Sequence, residues 1–367
     1  MMGQLKSWLL NVVAWINVLL VALMLLTGFS DRIDPEHHPI AGFAGMVFPV
    51  FVAANVLMLV FWTLVRWQRL WIPVGGLLLA YAPINIYAPV RVISELPPYD
   101  LKVLSYNVGG YGSPSDHHNG FDSIFSYICH QQADIVCVQE DNGSWPRAGD
   151  RWAGHFAHNA KVKLDLEGSR WSNNVAVHTR FPIVRTESIH APTSTRANGA
   201  VAFYLEIETD TLLLVVCHLE NIHLNANDRK QYKEIVRGEM DSDAATAEGK
   251  QLMKKFGGAF KARAAQVKAI SRYIDDHRRG HRVIVCGDFN DTPISFTRHT
   301  LAKGLTDCFA ESGCGLGLSY NQKGFNFRID HILCSDDLES VRCIVDSKMA
   351  QSDHYPVVCW LKMTLKP

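Results

Sequence analysis

Three long apolar stretches occupy the first hundred residues, and no other feature of the sequence constrains the fold as strongly. They run over about 8–29, 46–65 and 70–90, and each is close to the roughly 20 apolar residues that a helix needs to cross a bilayer. Tryptophan and tyrosine residues lie mostly near the ends of these stretches, as they do at membrane–water interfaces. The pattern predicts a membrane anchor of three transmembrane helices over residues 1–92.

Charges in the short loops predict how this anchor is oriented. Lys6 precedes the first stretch, and Arg66 and Arg69 lie between the second and the third, whereas the loop 30–40 holds one arginine among three acids. Because Lys and Arg concentrate in cytoplasmic loops, we expect the N-terminus in the cytoplasm. After three crossings of the inner or plasma membrane, the polar remainder of the chain would lie in the periplasm or outside the cell.

The cysteines favour the opposite orientation, with the polar domain in the cytoplasm. All nine cysteines lie beyond residue 128, their number is odd, and no CxxC motif occurs, so neither a complete disulfide framework nor a zinc knuckle is indicated. Several lie in apolar runs, where a thiol behaves as a small hydrophobic group. Reduced, buried thiols are typical of cytosolic domains. We give the loop charges more weight and predict an exported domain.

A second, polar domain is predicted over residues 101–365, joined to the anchor by a short linker at 93–100. Continuous apolar runs rich in Val, Ile and Leu indicate buried strands: 101–106, 135–138, 175–177, 201–207, 212–217, 283–286, 329–333 and 357–361. Helices are predicted at 120–132 and 261–277. Because strands outnumber helices, the pattern favours two packed sheets flanked by helices. The segment 225–258 is longer than a connection requires and is interpreted as an exposed helix or a mobile lid.

The polar domain carries almost no net charge. Five basic and four acidic residues precede Asp100, and removing them from the chain totals of 36 and 36 leaves 31 basic and 32 acidic residues. Proteins that bind duplex nucleic acid through many phosphates usually have a marked basic excess. The balance therefore disfavours a nuclease that acts on bulk duplex DNA.

Polar residues lie at the ends of, or within, several of the predicted strands, and together they suggest an active site. They are Asn107, Gln139-Glu140, His218, Asp288-Phe289-Asn290, Asp330-His331 and Ser352-Asp353-His354. A single Asn or Asp-His pair after a strand is usually a turn residue, but six such clusters at one end of a sheet framework can form a catalytic floor. Carboxylate and amide oxygens suit Mg²⁺ or Mn²⁺, while zinc is disfavoured because no His/Cys ligand spacing occurs. The chemistry indicated is metal-assisted hydrolysis of a phosphoester.

The same stretches resemble the endonuclease/exonuclease/phosphatase superfamily, which includes pancreatic deoxyribonuclease, apurinic endonucleases and neutral sphingomyelinases. The matching stretches occur in the order of the family and span about 250 residues: VLSYNVGG (103–110), ADIVCVQE (133–140), VVCHLEN (215–221), VIVCGDFNDTP (283–293), RIDHILCS (328–335) and SDHYPV (352–357). The resemblance implies an α/β fold, a four-layer sandwich of two mixed sheets flanked by helices, which here follows three transmembrane helices.

The resemblance also implies roles for individual residues. Metal binding is assigned to Asn107, Glu140 and Asp353. Catalysis at the phosphate and the attacking water is assigned to His218, Asp288, Asn290, Asp330 and His354. Substrate binding is assigned to Arg196 and Asn174, although relatives often have glycine at the latter position. Arg263 and Gln266 resemble a helix motif of the family that usually has a structural role.

Three functions are compatible with these motifs. The first is hydrolysis of a phospholipid, sphingolipid or related phosphodiester at the bilayer, suggested by the three apolar stretches, the short linker and the neutral domain. The second is an exported nuclease, in which aromatic residues would stack on bases: Tyr111, Trp145, Trp152 and Trp171. The third is a scaffold without catalysis, which the complete set of site residues argues against. The partners expected are therefore the lipid bilayer and a phosphoester substrate, either phospholipid or nucleic acid, with no protein partner predicted.

Overall fold

The computed structural model describes residues 1–111, 119–142, 148–164, 173–191, 198–222, 242–322 and 325–364, together with 227, 228, 230, 231, 234 and 239. Its α-helices, in chain order, are α1 (Met2–Gly28), α2 (Ala41–Val65), α3 (Trp71–Leu79), α4 (Tyr81–Tyr87), α5 (Asn119–Gln131), α6 (Ala148–Ala153), α7 (Ser242–His277), α8 (Phe296–Leu301) and α9 (Cys308–Ser312).

Helices α1 and α2 are long and apolar enough to cross a membrane, and the third predicted crossing is bent. Its two parts, α3 and α4, meet at an angle of 61°. The break falls at Ala80, where Pro83 has no N–H to donate to the carbonyl of Leu79. By length and composition, the chain has two crossing helices, or three if the bent pair forms one crossing. The side of the membrane on which the polar domain lies stays a prediction, which labelling of the exposed Cys314 on intact cells would test.

A small polar network joins α1 to α2 within this apolar bundle. The side-chain oxygen of Asn17 accepts a bond from Trp62 Nε1 at 3.0 Å, and its amide donates to Asn55 Oδ1 at 3.2 Å. The amide of Asn55 in turn donates to the backbone carbonyls of Leu20 and Phe51. Bonds of this kind between membrane helices contribute on the order of 1 kcal/mol each. Because these polar groups pair with one another, the network has a packing role.

Two six-stranded mixed sheets form the polar domain. The strands are β1 (Leu101–Asn107), β2 (Ile135–Gln139), β3 (His158–Lys163), β4 (Asn174–Thr179), β5 (Ile183–Ile189), β6 (Gly199–Ile207), β7 (Asp210–His218), β8 (Arg282–Asp288), β9 (Thr306–Asp307), β10 (Tyr320–Gln322), β11 (Phe325–Phe327), β12 (Asp330–Cys334), β13 (Leu338–Val345) and β14 (Val357–Met363). The first sheet has the order β13-β14-β1-β2-β4-β3 and the second β5-β6-β7-β8-β12-β9, while β10 and β11 form a separate hairpin.

The two sheets pack face to face, with helices on their outer faces. Along β1, alternate side chains point to opposite sides: Leu101 and Val103 lie in the core between the sheets, whereas Leu104 and Tyr106 face α5. The outer face of the second sheet is covered by α7 through Val267 and its apolar neighbours. This is the four-layer α/β sandwich predicted from the sequence, and the fold prediction is confirmed.

All eight apolar runs form strands, but the helix predicted at 261–277 is longer than expected. It begins at Ser242 and continues to His277 as α7. The second half of the 225–258 segment is therefore the first part of this helix. Between 225 and 241 only single residues and short pieces are described, so the lid interpretation falls largely outside the described residues. Seven of the nine cysteines are buried, and all nine are free thiols.

The anchor packs directly against the polar domain. Gly45, in the first turns of α2, lies so close to Ile294 that a Cβ atom on it would stand 1.7 Å from the carbonyl oxygen of Ile294. The Ile294 side chain joins Met24 and Phe48 in a shared apolar cluster. Only a residue without a side chain allows this close approach of helix and loop.

Charged side chains also join the α1–α2 loop to the polar domain. Lys268 of α7 binds Asp34 at 2.5 Å and Glu36 at 2.6 Å, and His299 of α8 lies 3.3 Å from Asp31. Because several charged groups pair at one interface, they fix the position of the loop against the polar domain better than an isolated surface pair would.

The end of α4 makes a second connection to the polar domain. Arg328, which is buried, donates to the backbone carbonyl of Ile86. Val90 pairs with Cys314 in an isolated bridge, and the Arg91 N–H donates to the Gly313 carbonyl at 3.2 Å. The first residues after the anchor are therefore bonded to the polar domain.

Replacing Gly45 with alanine tests the importance of this interface. The added methyl group cannot fit between α2 and the Ile294 carbonyl, so we expect the free energy of unfolding to fall by about 1–3 kcal/mol, measured by thermal unfolding in detergent. Gly75→Ala is the matched control, because no atom lies within 4 Å of a Cβ at that position. Equal stability of the two variants would contradict the observed packing.

Candidate active site

The predicted site residues come together where strands of the two sheets end or begin. Asp288, the last residue of β8, lies opposite His218 at the end of β7. It also lies opposite Asp330 at the start of β12. Asn107 ends β1, and its amide donates to Asp288 Oδ2 at 3.0 Å and to Glu140 Oε1 at 3.1 Å. One asparagine therefore links the two sheets across the floor of the site.

Backbone conformation at the ends of β2 and β8 helps to aim these side chains. Gly287 has φ +130°, and a Cβ there would lie 2.0 Å from the carbonyl oxygen of Cys217, so glycine is required before Asp288. Glu140 and Asn290 have φ +54° and +52°. Such values are uncommon for residues other than glycine, and at both positions they turn the chain out of the strand and into the site.

The Asp288 carboxylate accepts three hydrogen bonds from neighbouring site residues. Its carboxylate accepts bonds from the backbone N–H of Asn290 at 2.8 Å and from the Asn290 side-chain amide at 3.2 Å, besides the bond from Asn107. Burial raises the pKa of Asp288 to about 6. The nearby charge of Asp330 adds to this rise, while the two histidines oppose it.

His354 and Asp330 form a buried pair. Nδ1 of His354 lies 2.8 Å from Asp330 Oδ2, and Nε2 lies 3.7 Å from Asp288 Oδ2. Burial alone would lower the pKa of His354, but the negative charges of Asp330 and Asp288 outweigh it and raise the pKa to about 10. The carboxylates of Asp330 and Asp288 therefore favour the protonated form of the His354 imidazole.

His218 is buried with both ring nitrogens unbonded. Neither nitrogen has a hydrogen-bond partner among the described residues, although Nε2 lies 3.4 Å from Glu140 Oε1 and 3.8 Å from Asp288 Oδ2. An unsatisfied buried polar group costs about 1–3 kcal/mol. The ring nitrogens of His218 are therefore available to form hydrogen bonds with a group that enters the site.

The site carries an excess of negative charge that suits a divalent cation. Four carboxylates gather there (Glu140, Asp288, Asp330 and Asp353), and no Lys or Arg of the described chain bonds to any of them.

Ligand atoms of Asp288, Asp330 and His354 lie within 4.8 Å of one another, and this group differs from the metal-binding set predicted from the sequence. In that trio, however, His354 and Asp330 already bond each other. The Glu140 carboxylate is partly exposed, and among the described residues it accepts one amide bond. Hard oxygen donors of this kind fit Mg²⁺ or Mn²⁺.

Of the two predicted substrate-binding residues, the structure describes Asn174. The side chain of Asn174 donates to the backbone carbonyl of Asp141 at 3.0 Å, and its own carbonyl accepts the Asp141 N–H at 3.2 Å. Asn174 therefore fixes the loop that follows Glu140. Arg196 lies outside the described residues.

Three residues that were assigned no role from the sequence support the site. The Tyr320 ring lies 5.0 Å from the His354 ring, Gln322 donates to Asp353 Oδ2 at 3.3 Å, and Ser352 Oγ donates to the Asn107 carbonyl. The first two lie on the β10 strand, whose short, polar sequence carries no strong pattern. Ser352 adjoins the Asp353-His354 motif, which was the available signal.

Arg263 and Gln266 of α7 hold the loops around the site. Arg263 donates to the Glu220 carbonyl at 2.7 Å and to Asp291 Oδ2 at 3.2 Å. Gln266 accepts the Glu220 N–H at 3.0 Å and donates to the Asn198 carbonyl at 3.3 Å. The loops after β7 and β8 and the residue before β6 are thus tied to one helix, which is the structural role that the helix motif suggested.

Comparisons with known proteins agree with this architecture. A family model described as "Endonuclease/Exonuclease/phosphatase family" matches residues 104–354, and one described as a domain of unknown function matches residues 10–87. A search of curated proteins finds no match.

Solved structures with the same fold have low sequence identity to this chain. The catalytic domain of human Nocturnin with bound sulfate is 17% identical, covers 75% of this chain and 97% of its own, and has a TM-score of 0.52. An endonuclease/exonuclease/phosphatase from Beutenbergia cavernae is 15% identical, with coverages of 73% and 72% and a TM-score of 0.51. A family protein from Leptotrichia buccalis is 15% identical, with coverages of 72% and 100% and a TM-score of 0.50. At these identities the likeness shows the shared fold.

The substitution Asn107→Asp tests the balance of charge in the site. It removes the amide donor that two carboxylates share and adds a third carboxylate beside them. We expect the metal-free protein to lose about 1–3 kcal/mol of stability, with part of the loss recovered when Mg²⁺ replaces the chelator. Thermal unfolding with and without chelator measures both effects, and Gln251→Glu on the exposed face of α7 is the control. A variant as stable as the wild type in chelator would contradict this account.

Proposed function

The chain belongs to the endonuclease/exonuclease/phosphatase family and is a metal-dependent phosphoester hydrolase, and from this premise we propose that its substrate is a phosphodiester lipid of the bilayer that holds its anchor. The reaction is hydrolysis of a P–O bond by in-line attack of an activated water. Phospholipids and sphingolipids are the substrate class. The anchor comprises residues 1–92 and the catalytic domain residues 101–365.

The observation that carries this proposal is that the anchor packs against the loops that bear the site. Ile294, which contacts Gly45 of α2, lies four residues beyond Asn290 on the same loop. Arg328, which bonds the Ile86 carbonyl of α4, lies two residues before Asp330. A site attached in this way to helices apolar enough to cross a membrane would work at the bilayer surface, where lipid phosphodiesters are concentrated.

The residues have distinct roles in the proposed reaction. Asp288, whose pKa is raised to about 6, orients the attacking water and takes its proton, and Asn290 steadies that water. His354, held as an imidazolium by Asp330, donates a bond to the phosphate. Groups whose environments drive their pKa values apart are suited to act as base and acid.

A divalent cation completes the site in this proposal. Asn107, Glu140 and Asp353 would hold Mg²⁺ or Mn²⁺, which supplies Lewis-acid stabilisation of the negative charge on the phosphate. His218, with its unbonded nitrogens, donates to a phosphate oxygen. Asn174 supports the loop after Glu140, and Arg196 is proposed to bind substrate from the sequence resemblance.

The nuclease hypothesis has lost part of its support. Tyr111 and Trp152 are 2% and 4% exposed and pack in the core beside α5, so they are unable to stack on bases. Trp145 and Trp171 lie outside the described residues. The domain also lacks the basic excess that binding to many phosphates requires.

The substitution His354→Ala in the full-length protein tests the proposal. We expect Mg²⁺-dependent release of head group from phospholipid or sphingomyelin vesicles, and a fall in kcat of about 10²–10⁴-fold in the variant. His130→Ala, at an exposed position of α5, is the control and should keep full activity.

Plasmid nicking measured on the same preparations separates the two substrate classes. Metal-dependent nicking that His354→Ala abolishes, without any lipid hydrolysis by the wild type, would overturn the lipid proposal in favour of the nuclease. Hydrolysis of lipid that His354→Ala leaves unchanged would contradict the assigned site.

A further inference from the structure

A cavity of about 630 Å³ lies beside the active site. Its volume falls within the range of ~300–1,000 Å³ that is typical of small-molecule sites. Apolar side chains of Leu316, Leu318 and Ile344 share the lining with the polar groups of Asn321 and Tyr355. None of its thirteen lining residues is charged.

One end of the cavity adjoins the catalytic histidine. Tyr320 lines the cavity, and its ring lies 5.0 Å from the His354 ring. The backbone N–H of Asn321 donates to the Asp353 carbonyl at 2.7 Å, and the Asn321 side chain donates to the Tyr355 hydroxyl. Hydrogen bonds and a ring contact therefore connect residues that line the cavity to His354 and its neighbours.

Another part of the cavity lining contacts the segment that follows the anchor. Cys314 lines the cavity and pairs with Val90, and the Gly315 N–H donates to the Pro89 carbonyl at 2.8 Å. Arg328 donates to the Leu316 carbonyl at 3.0 Å and also to the Ile86 carbonyl. One buried arginine thus joins the wall of the cavity to the last helix of the anchor.

The glycine-rich loop 313–318 shapes this wall. Gly317 has φ +58°, and a Cβ there would lie 2.3 Å from the ring of Phe309, so the loop can lie on that ring only with glycine at this position. The loop presents Leu316, which is 48% exposed. Val90 and Val92, in the adjoining segment, are 72% and 87% exposed. Apolar groups therefore extend from the cavity to the end of the anchor.

We propose that this cavity is a subsite for the lipid part of the substrate, which it receives from the bilayer while the phosphate lies at His354. The inference rests on the proposed function and names the place that the lipid occupies. Leu316, Leu318 and Ile344 match acyl chains, and the Asn321 amide and the Tyr355 hydroxyl match the ester groups near the phosphate. A nucleic acid strand would need Lys or Arg for its phosphates, and the lining has neither.

Photo-crosslinking tests occupancy without relying on catalysis. The full-length protein in detergent with chelator is irradiated with a phosphatidylcholine that carries a diazirine on one acyl chain, and the adducts are mapped by mass spectrometry. We expect adducts on residues of the loop 313–318 and on Ile344. Ser347→Trp, at an exposed lining position, should reduce them about tenfold, whereas Lys348→Trp, exposed and outside the lining, should leave them unchanged. Adducts spread evenly over the anchor, or equal in both variants, would overturn the proposal.

Kinetics distinguish failure of the subsite from failure of the proposed function. For Ser347→Trp, we expect kcat/KM for long-chain lipid to fall at least about tenfold more than kcat/KM for a soluble aryl phosphodiester, while Lys348→Trp keeps the wild-type ratio. An unchanged ratio in Ser347→Trp, with lipid still hydrolysed, would overturn the subsite alone. If the wild type hydrolyses the soluble diester and no lipid, both the lipid substrate and the subsite are wrong.

Discussion

The contact between Gly45 and the backbone of Ile294 determines how the two halves of this molecule are arranged. Without a side chain at Gly45, helix α2 approaches the loop after β8 so closely that no other residue fits. The Ile294 side chain packs with Met24 of α1 and Phe48 of α2, and the ion pairs of Lys268 also join the α1–α2 loop to the polar domain. The N-terminal helices are therefore packed against a loop that carries candidate site residues, in addition to being joined to the polar domain through the segment that precedes β1.

This arrangement gives the anchor a part in shaping the site. The loop that contacts α2 also carries Asp291, which Arg263 binds. The strand that carries Asp330 follows Arg328, which binds the end of α4. An isolated catalytic domain would lose both supports and expose the apolar surface of Ile294. For this reason the full-length chain is the proper subject of experiments, even though residues 104–354 alone match the family.

Inside the site, amide groups hold like charges close together. Asn107 donates to Glu140 and Asp288 at once, and His354 neutralises Asp330. Burial would otherwise make such a group of carboxylates costly. The cluster is net negative, its carboxylates favour the protonated imidazole of His354, and the His218 nitrogens have no hydrogen-bond partner among the described residues. Such an environment suits a divalent cation and a phosphate.

Much of the fold and the site was predictable from sequence, for identifiable reasons. Continuous Val/Ile/Leu runs predicted the buried strands, because strands that are covered on both faces consist largely of such residues. Asp288 and His354 were candidates because each lies at the end of, or just before, such a run, and the structure brings them close together.

Features that depend on contacts between distant residues were not predictable. The close approach of Gly45 to Ile294 has no local signal, and neither does the role of Asn174, whose amide bonds the loop after Glu140. The bend between α3 and α4 had a local cause in Pro83, but membrane helices often tolerate proline. The early start of α7 at Ser242 was hidden by a charged sequence with weak periodicity.

We expect the site to work on the bilayer that holds its own anchor. The most direct measurement reconstitutes the full-length protein in vesicles that carry one labelled phospholipid, and mixes them with protein-free vesicles that carry a second label. We expect Mg²⁺-dependent head-group release that is much faster from the vesicles containing the protein. Equal release from both populations, or hydrolysis of a soluble diester with release from neither, would contradict it.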